Sequence, residues 1–182
     1  MTIPPVEPVC PGCQLGKQPN RPFAANETHA TKPFELVHLN LKSFETESYH
    51  RSRYIIVFYD DYTSMGWIKP LRTKDQALPA TKEFIKYIQN QHSASIKGWM
   101  SDAGGEYKSK AFRQLMHDQG IHIYESAPHT PQQNGCAERF IRTLMNKAQA
   151  MRLHTCLPDS YWEFAIQHAV HVYNHTPKRG LN

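Results

Sequence analysis

Hydrophobic and polar positions divide the chain into two parts. Residues 1 to about 33 are rich in proline and show neither a two-residue nor a 3.6-residue hydrophobic period, which indicates a linker rather than a packed core. From residue 34 the positions alternate, which predicts a strand over about 34–41, and a nearly continuous apolar run predicts a second strand over 54–59. A third short strand is predicted over 66–71, so the three strands form an antiparallel meander.

Beyond residue 71 the hydrophobic period becomes helical. Helices are predicted over about 75–91, 111–116, 136–153 and 159–175, and short strands over 96–100 and 121–124 separate the first three. Each long helix has one apolar stripe that we expect to be buried. The stripes are Ala77, Ala80, Phe84, Tyr87 and Ile88; Ala137, Ile141, Leu144, Ala148 and Met151; and Trp162, Ala165, Ile166, Ala169 and Tyr173. The three tryptophans are assigned to the core.

The order of these elements predicts the fold. Three strands, a helix, a strand, a helix, a strand and two helices follow one another in the ribonuclease H-like fold. We therefore expect an α/β domain over 34–182, with a five-stranded mixed sheet flanked by helices, and a linker over 1–33. A chain of 182 residues is long enough to bury one such core.

Charge and hydropathy indicate which partners and which cellular location the protein can have. The net charge of +5 is compatible with a surface that binds phosphate, although many soluble domains are equally basic by chance. The sequence contains no apolar run long enough to span a membrane and no N-terminal signal pattern. We expect a soluble, intracellular protein.

The four cysteines are unevenly spaced. Cys10 and Cys13 form a CxxC pair, whereas a structural zinc ion needs about four ligands. The pair is either the remnant of a zinc site or a reduced pair in a linker, and the second interpretation is favoured, so zinc is not expected. Cys136 and Cys156 are predicted to be packed thiols rather than disulfide partners.

Three polar residues are candidates for a catalytic centre. Asp102 follows the predicted fourth strand, Glu138 lies in the first turn of the third helix, and Asn40 lies near the end of the first strand. Ligand sites of open sheets collect at the carboxyl ends of parallel strands, so the three can converge. Carboxylates there would bind two divalent cations for phosphoryl transfer, but an amide brings no charge. The alternatives are a turn residue for Asp102 and a helix-dipole partner for Glu138.

Several motifs together resemble the integrase core of copia-type LTR retrotransposons (Pseudoviridae), in the retroviral-integrase superfamily. They are Phe58-Tyr59-Asp60-Asp61-Tyr62-Thr63, Ser101-Asp102-Ala103-Gly104-Gly105-Glu106-Tyr107, His129-Thr130-Pro131-Gln132-Gln133-Asn134-Gly135, Ala137-Glu138-Arg139 and Tyr173-Asn174-His175-Thr176-Pro177. The 35 residues between Asp102 and Glu138 are the interval of that family. Cys10-Pro11-Gly12-Cys13 with Gly16-Lys17 resembles the end of the zinc-binding region that precedes the core.

The resemblance implies metal-dependent 3′ processing and strand transfer of element DNA into a target. Asp102 and Glu138 match the second and third metal-binding acids of the family, and Asn40 falls where its first aspartate is expected. We therefore predict a core that uses Mg²⁺ or Mn²⁺ but is catalytically impaired by Asn40. The implied partners are element and target DNA and further copies of the chain, in the nucleus.

Basic residues of the third helix are candidates for DNA contact. Arg142 lies four residues after Glu138, so it either pairs with Glu138 or reaches a DNA phosphate. Arg139, Lys147 and Arg152 are expected on a solvated helix face, with phosphate contact as the alternative.

The loop before this helix offers Gln133 and Asn134, whose amides are either nucleic-acid contacts or part of a hinge. His38 is expected to be packed rather than to ligate. Asp60 and Asp61 are expected to end a strand in a hairpin, not to replace the missing acid.

Two other functions stay open at this stage. In one, the chain is a working enzyme in which Asn40 is a weak ligand or another acid replaces it. In the other, the chain keeps the fold without the reaction, as a nucleic-acid or protein-binding module derived from a mobile element. Strand-transfer activity separates the first from the impaired core, and metal-independent DNA affinity identifies the second.

Overall fold

The computed structural model describes residues 30–101, 109–125 and 135–177. Its elements are, in chain order, β1 (Leu36–Ser43), β2 (Tyr54–Asp60), β3 (Gly66–Leu71), α1 (Ala77–His92), β4 (Gly98–Ser101), α2 (Lys110–Asp118), β5 (His122–Glu125), α3 (Gly135–His154) and α4 (Trp162–His175). Single 3-10 turns precede α1 and α4. The predicted elements are all present, and their ends agree with the sequence pattern to within three residues.

The five strands form one mixed sheet in the order β3-β2-β1-β4-β5. The first three strands are antiparallel neighbours, as the meander predicted, and β4 and β5 run parallel to β1. The fold prediction is therefore confirmed, including the five strands and their mixed directions. No helix in the described ranges is long and apolar enough to cross a membrane.

Helices cover both faces of the sheet and create two hydrophobic clusters. On one face, Leu39 and Phe58 pack with side chains of α1 and α2, including Phe84 and Phe112. On the other face, Ile55, Val57 and Tyr59 of β2 pack against α3 and α4. Both faces of β2 are covered, which explains its continuous apolar run.

A few packing predictions were wrong. Tyr87 is 43% exposed, because it lies at the edge of its stripe and stacks along Phe84 instead of entering the core. Phe140, rather than Ile141, is the fully buried member of its helical turn; Ile141 is only partly buried. Cys136 and Cys156 are free thiols as expected, but Cys156 is exposed because it lies in the turn after α3. Trp99 and Trp162 are buried, and Trp67 is partly buried against the core.

Candidate active site

Asn40 lies in the middle of the sheet, on the side covered by α3 and α4. It pairs with Val57 of β2, and directly opposed residues of antiparallel strands project from the same face of a sheet. Val57 belongs to the cluster beneath α3 and α4. The side chain of Asn40 is partly exposed, and its amide has no hydrogen-bond partner among the described residues. The amide is therefore accessible to a ligand.

The register of the central strands relates Asn40 to the second candidate. In the parallel pairing of β1 and β4, Leu39 is level with Ser101. Leu39 immediately precedes Asn40, and Ser101 immediately precedes Asp102. Asp102 itself lies outside the described residues. Leu39 and Ser101 are thus the last paired residues of β1 and β4 before the two candidates in the sequence.

Glu138 lies in the first turn of α3, on the same side of the sheet as Asn40. Its neighbours Ala137 and Phe140 are buried, whereas Glu138 is exposed. A carboxylate in this turn also complements the positive end of the helix dipole. Among the described residues, no group of three or more His, Cys, Asp or Glu side chains is arranged to hold a metal ion. The candidate centre includes Asp102, which is not among these residues.

Asp60 is a structural residue. It is fully buried at the end of β2, where its Oδ1 accepts a hydrogen bond from the backbone N–H of Phe34 at 2.8 Å. Its Oδ2 accepts from the backbone N–H and the hydroxyl of Thr63, at 2.9 and 2.7 Å. Oδ2 thus closes the turn after β2, as the hairpin prediction requires, and Oδ1 holds the segment that precedes β1.

Asp61 is also engaged by the protein. Its Oδ2 accepts from the backbone N–H of Ala30 at 2.9 Å, and its Oδ1 lies 3.2 Å from Nε2 of His38. His38 is 3% exposed and packs edge-on against Tyr59, so its packing role is confirmed. The oxygens of Asp60 and Asp61 are therefore already engaged within the protein, in agreement with the expectation that these acids do not replace the carboxylate absent at Asn40.

A pair of hydrogen bonds ties the end of α4 to the start of β3. The side-chain Nδ2 of Asn174 donates to the carbonyl of Gly66 at 2.7 Å, and the N–H of Gly66 donates to Oδ1 of Asn174 at 3.0 Å. Since β3 is an edge strand, its outward peptide groups need partners from outside the sheet. We call this pair the Asn174–Gly66 clamp.

The clamp adjoins the aromatic residues that hold the start of α3. A methyl group at Gly66 would overlap the ring of Phe140, so glycine is what lets this ring pack against β3. The same ring lies 5.1 Å from Tyr59 and 4.7 Å from Tyr173, measured between ring centroids. Phe140 follows Glu138 by two residues. The aromatic contact thus lies in the same helical turn as Glu138.

The hydroxyl groups of Tyr59 and Tyr173 are joined by a hydrogen bond. Burial is the main cause that raises the pKa of both tyrosines above the ordinary value. Cys136 lines the same small cleft of about 130 Å³. Burial raises the pKa of its thiol, and the neighbouring Arg139 guanidinium offsets part of that rise. The two tyrosines and the Cys136 thiol are therefore neutral at physiological pH.

Basic side chains of α3 differ in their surroundings. Arg142 is exposed, and no ion pair joins it to Glu138 among the described residues. Arg139 is exposed and donates to Sγ of Cys136 at 3.2 Å.

The expectation of a solvated face was wrong for Arg152, and only partly right for Lys147, which is half-buried. The guanidinium of Arg152 bonds to Asp159 at 2.6 Å and to the carbonyl of Leu157 at 3.0 Å, because the chain turns back over it after α3.

The remaining candidates lie outside the described residues: Gln133, Asn134, Cys10 and Cys13. Sequence reasoning missed the clamp and its aromatic neighbours. Tyr173 and Asn174 belong to the motif Tyr173-Asn174-His175-Thr176-Pro177, but nothing in the sequence indicated that Gly66, 108 residues from Asn174, lies beside them. The only local signal was a glycine at the start of a strand, which marks a close approach.

The sequence matches known proteins along nearly its whole length. Residues 119–182 match the family model of the integrase core domain. The chain is 32% identical over 169 residues to the retrovirus-related Pol polyprotein from transposon TNT 1-94 of Nicotiana tabacum, and 30% over 168 residues to that from transposon RE1 of Arabidopsis thaliana. It is 26% identical over 173 residues to the truncated transposon Ty1-A Gag-Pol polyprotein of Saccharomyces cerevisiae. These alignments cover 91–92% of the chain but only 13%, 11% and 14% of the three relatives.

Solved structures share the fold at low sequence identity. A chain of the simian T-cell lymphotropic virus intasome, solved in complex with the PP2A regulatory subunit B56 gamma, superposes with a TM-score of 0.65 at 17% identity, over 84% of this chain and 55% of that one. The HTLV-2 integrase catalytic core domain, in complex with magnesium and in its trimeric form, superposes with a TM-score of 0.61 at 14% identity, over 83% of this chain and 92% of that one. The sheet is thus the ribonuclease H-like sheet of integrase catalytic cores. By sequence the chain is similar to a segment of retrotransposon Pol polyproteins that includes the integrase core domain, and by fold it is similar to integrase catalytic cores.

Proposed function

We propose that the chain acts in DNA integration, as the core of a retrotransposon integrase, and that Asn40 impairs its catalysis. The observation that supports the proposal is the pairing of Leu39 with Ser101, because these residues immediately precede Asn40 and Asp102 in the sequence. Glu138 supports it from the first turn of α3, on the same side of the sheet as Asn40. Asp102 and Glu138 would be the metal-binding acids.

The donor groups suit Mg²⁺ or Mn²⁺ only in part. Asp102 and Glu138 each supply carboxylate oxygens, which hard divalent cations prefer. Asn40 supplies one neutral carbonyl oxygen, and its amide N–H groups are donors that a cation repels. When bound, a pair of divalent ions stabilises the attacking and leaving oxygens of phosphoryl transfer. We expect this chain to hold such ions weakly, because no described acid replaces the missing charge.

A strand-transfer assay with Mg²⁺ or Mn²⁺ tests the impairment. It compares the wild-type chain, Asn40→Asp and Asn40→Ala on one preparation of DNA ends. We expect the strand-transfer activity of Asn40→Asp to exceed that of wild type by about tenfold or more. Even changes to residues that only support the ligands weaken metal binding or activity by that factor. Adding Asp102→Asn to Asn40→Asp should abolish the gain. Equal activity in wild type and Asn40→Asp would overturn the claim of impairment.

The same proposal includes DNA and further copies of the chain as partners, with action in the nucleus. The DNA and the further copies of the chain are supported by the intasome and the trimeric form in which the neighbouring structures were solved. Arg142 is its first candidate for phosphate contact, because it is exposed and has no ion-pair partner among the described residues; Arg139, Gln133 and Asn134 are the further candidates.

Salt dependence of DNA affinity tests this contact. Removing one phosphate contact with Arg142→Ala should lower the slope of log affinity against log salt by about one. Lys86→Ala is the matched control, since Lys86 is exposed on α1, beyond the opposite face of the sheet. An unchanged slope in Arg142→Ala would remove this residue from the DNA contact. DNA affinity without metal, together with an inactive Asn40→Asp, would instead identify a binding module without the reaction.

A further inference from the structure

The exposed face of α4 carries three histidines at one-turn spacing. His168, His171 and His175 are all exposed. Ring centroids are 6.4 Å apart for His168 and His171, and 4.2 Å apart for His171 and His175. Residues three and four positions apart share a helix face, so this proximity follows from the sequence spacing. The imidazoles of His171 and His175 lie side by side at the surface.

The hydrogen bonding of His175 determines which of its nitrogens is free. Its Nδ1 lies 2.7 Å from the backbone carbonyl oxygen of His171. A carbonyl oxygen only accepts hydrogen bonds, so Nδ1 carries the hydrogen and Nε2 of the neutral ring keeps its lone pair. Histidines that bind metals commonly donate their other ring N–H to a backbone carbonyl in this way. His175 is therefore fixed in a tautomer that suits metal binding through Nε2.

We propose that His171 and His175 form a binding site for a transition-metal ion of the Zn²⁺, Ni²⁺ and Cu²⁺ class. Imidazole nitrogen suits these ions, and two histidines four residues apart on one helix face are a known ligand pair for zinc. Hard ions such as Mg²⁺ prefer oxygen ligands, so the site is chemically distinct from a centre at Asp102 and Glu138. It does not depend on the proposed function.

The site has two protein ligands and is open on its outer side. Within the described ranges, no third His, Cys, Asp or Glu completes a metal-binding group with this pair. The remaining coordination positions would be filled by water or by donors from another molecule. An ion that already carries a small chelator is therefore a suitable probe, because a chelator can occupy those outer positions.

Isothermal titration of the full chain with Ni²⁺–iminodiacetate tests the proposal. Both His171→Ala and His175→Ala should lower the affinity by about tenfold or more, since removing even an outer partner of a ligand has that effect. His117→Ala is the matched control, because His117 is 86% exposed near the end of another helix; its affinity should equal that of wild type. Circular dichroism of each variant confirms that the fold is kept.

Two outcomes would overturn the proposal. In the first, His171→Ala and His175→Ala bind Ni²⁺–iminodiacetate with the same affinity as wild type. In the second, His117→Ala loses as much affinity as these two variants do. Cys10 and Cys13 are the competing soft ligands, so the titration is repeated with both changed to serine, and the affinity should persist. Loss of binding in that serine variant would assign the ion to the thiols instead. Paramagnetic broadening by Ni²⁺ should be strongest at the ring protons of His171 and His175.

Discussion

Replacing Asn174 with alanine removes both hydrogen bonds of the Asn174–Gly66 clamp. Gly66 is buried at the start of an edge strand, and its N–H and carbonyl both bond to this one side chain. In Asn174→Ala the two backbone groups lose their partners while the strand stays in place. The variant therefore measures how much the two hydrogen bonds from a side chain to an edge-strand peptide contribute to the free energy of unfolding.

The expected loss of stability follows from counting these groups. Each hydrogen bond contributes a net of about 1 kcal/mol, and a buried group left unpaired costs about 1–3 kcal/mol. Water can reach the edge of β3 in part, so we expect a loss of about 2–4 kcal/mol in the free energy of unfolding. For a domain of this size, that corresponds to a Tm lower by about 5–15 °C.

Urea denaturation followed by tryptophan fluorescence measures this loss, because Trp99 and Trp162 are buried. The midpoint should fall while the denaturant slope m stays constant. Asn146→Ala is the matched control: Asn146 is exposed on α3, and its removal should change stability by at most about 0.5 kcal/mol. Asn174→Asp keeps the acceptor but loses the donor, so it should also be destabilised.

A loss below about 0.5 kcal/mol in Asn174→Ala, equal to that of the control, would refute this reasoning. It would mean that water forms hydrogen bonds with the N–H and carbonyl of Gly66 that are as favourable as those formed by the Asn174 amide. A changed m value would instead show that the variant alters the unfolded ensemble or adds an intermediate.

Three further predictions concern the surroundings of the site. Gly66→Ala should destabilise by about 1–3 kcal/mol through overlap with Phe140, and adding Phe140→Leu should recover part of that loss in a double-mutant cycle; purely additive effects would argue against the contact. Because burial raises the folded-state pKa of Tyr59 and Tyr173, the folded protein retains protons that the unfolded chain releases, so the free energy of unfolding should fall as pH rises above about 10. Tyr173→Phe should flatten that decline in urea titrations between pH 9 and about 11, and an unchanged pH profile would contradict it. In a thermal-shift assay, saturating Mn²⁺ should raise the Tm of Asn40→Asp more than it raises the Tm of wild type, by about 3–6 °C for each tenfold gain in affinity. Equal shifts in the two proteins would count against Asn40 as a ligand position.

Elements with a strong period were predictable because the period itself encodes burial. The continuous run of β2 indicated a strand covered on both faces, and α1, α3 and α4 each showed an apolar stripe. Ile141 and Phe140 both lie within one turn of the stripe, and the sequence favoured the first. The structure buries the second, because Gly66 leaves room on β3 for an aromatic ring. That choice depends on a residue in another element, which helical spacing does not reveal.

The candidate site was predictable to the extent that it lies on regular elements. The pattern placed Asn40 on a strand and Glu138 in a first helical turn, and both placements hold. The partners of Asp60 and Asp61 were not predictable in detail, since they join segments far apart in sequence, such as Phe34 with Asp60. Arg152 was assigned to solvent because a helix pattern carries no information about the loop that folds over it.

The two-cluster architecture has a consequence for synthesis on the ribosome. The sheet is complete at residue 125, yet the face formed by Ile55, Val57 and Tyr59 has no cover until α3 and α4 have been made. At about 5–20 residues per second, the roughly fifty residues to the end of α4 take several seconds to emerge. During that interval a nascent chain exposes an apolar β-surface, so chaperone binding should be strongest there. The chaperone should be released when α4 emerges, because Asn174 in its last turn then forms hydrogen bonds with Gly66 of the edge strand.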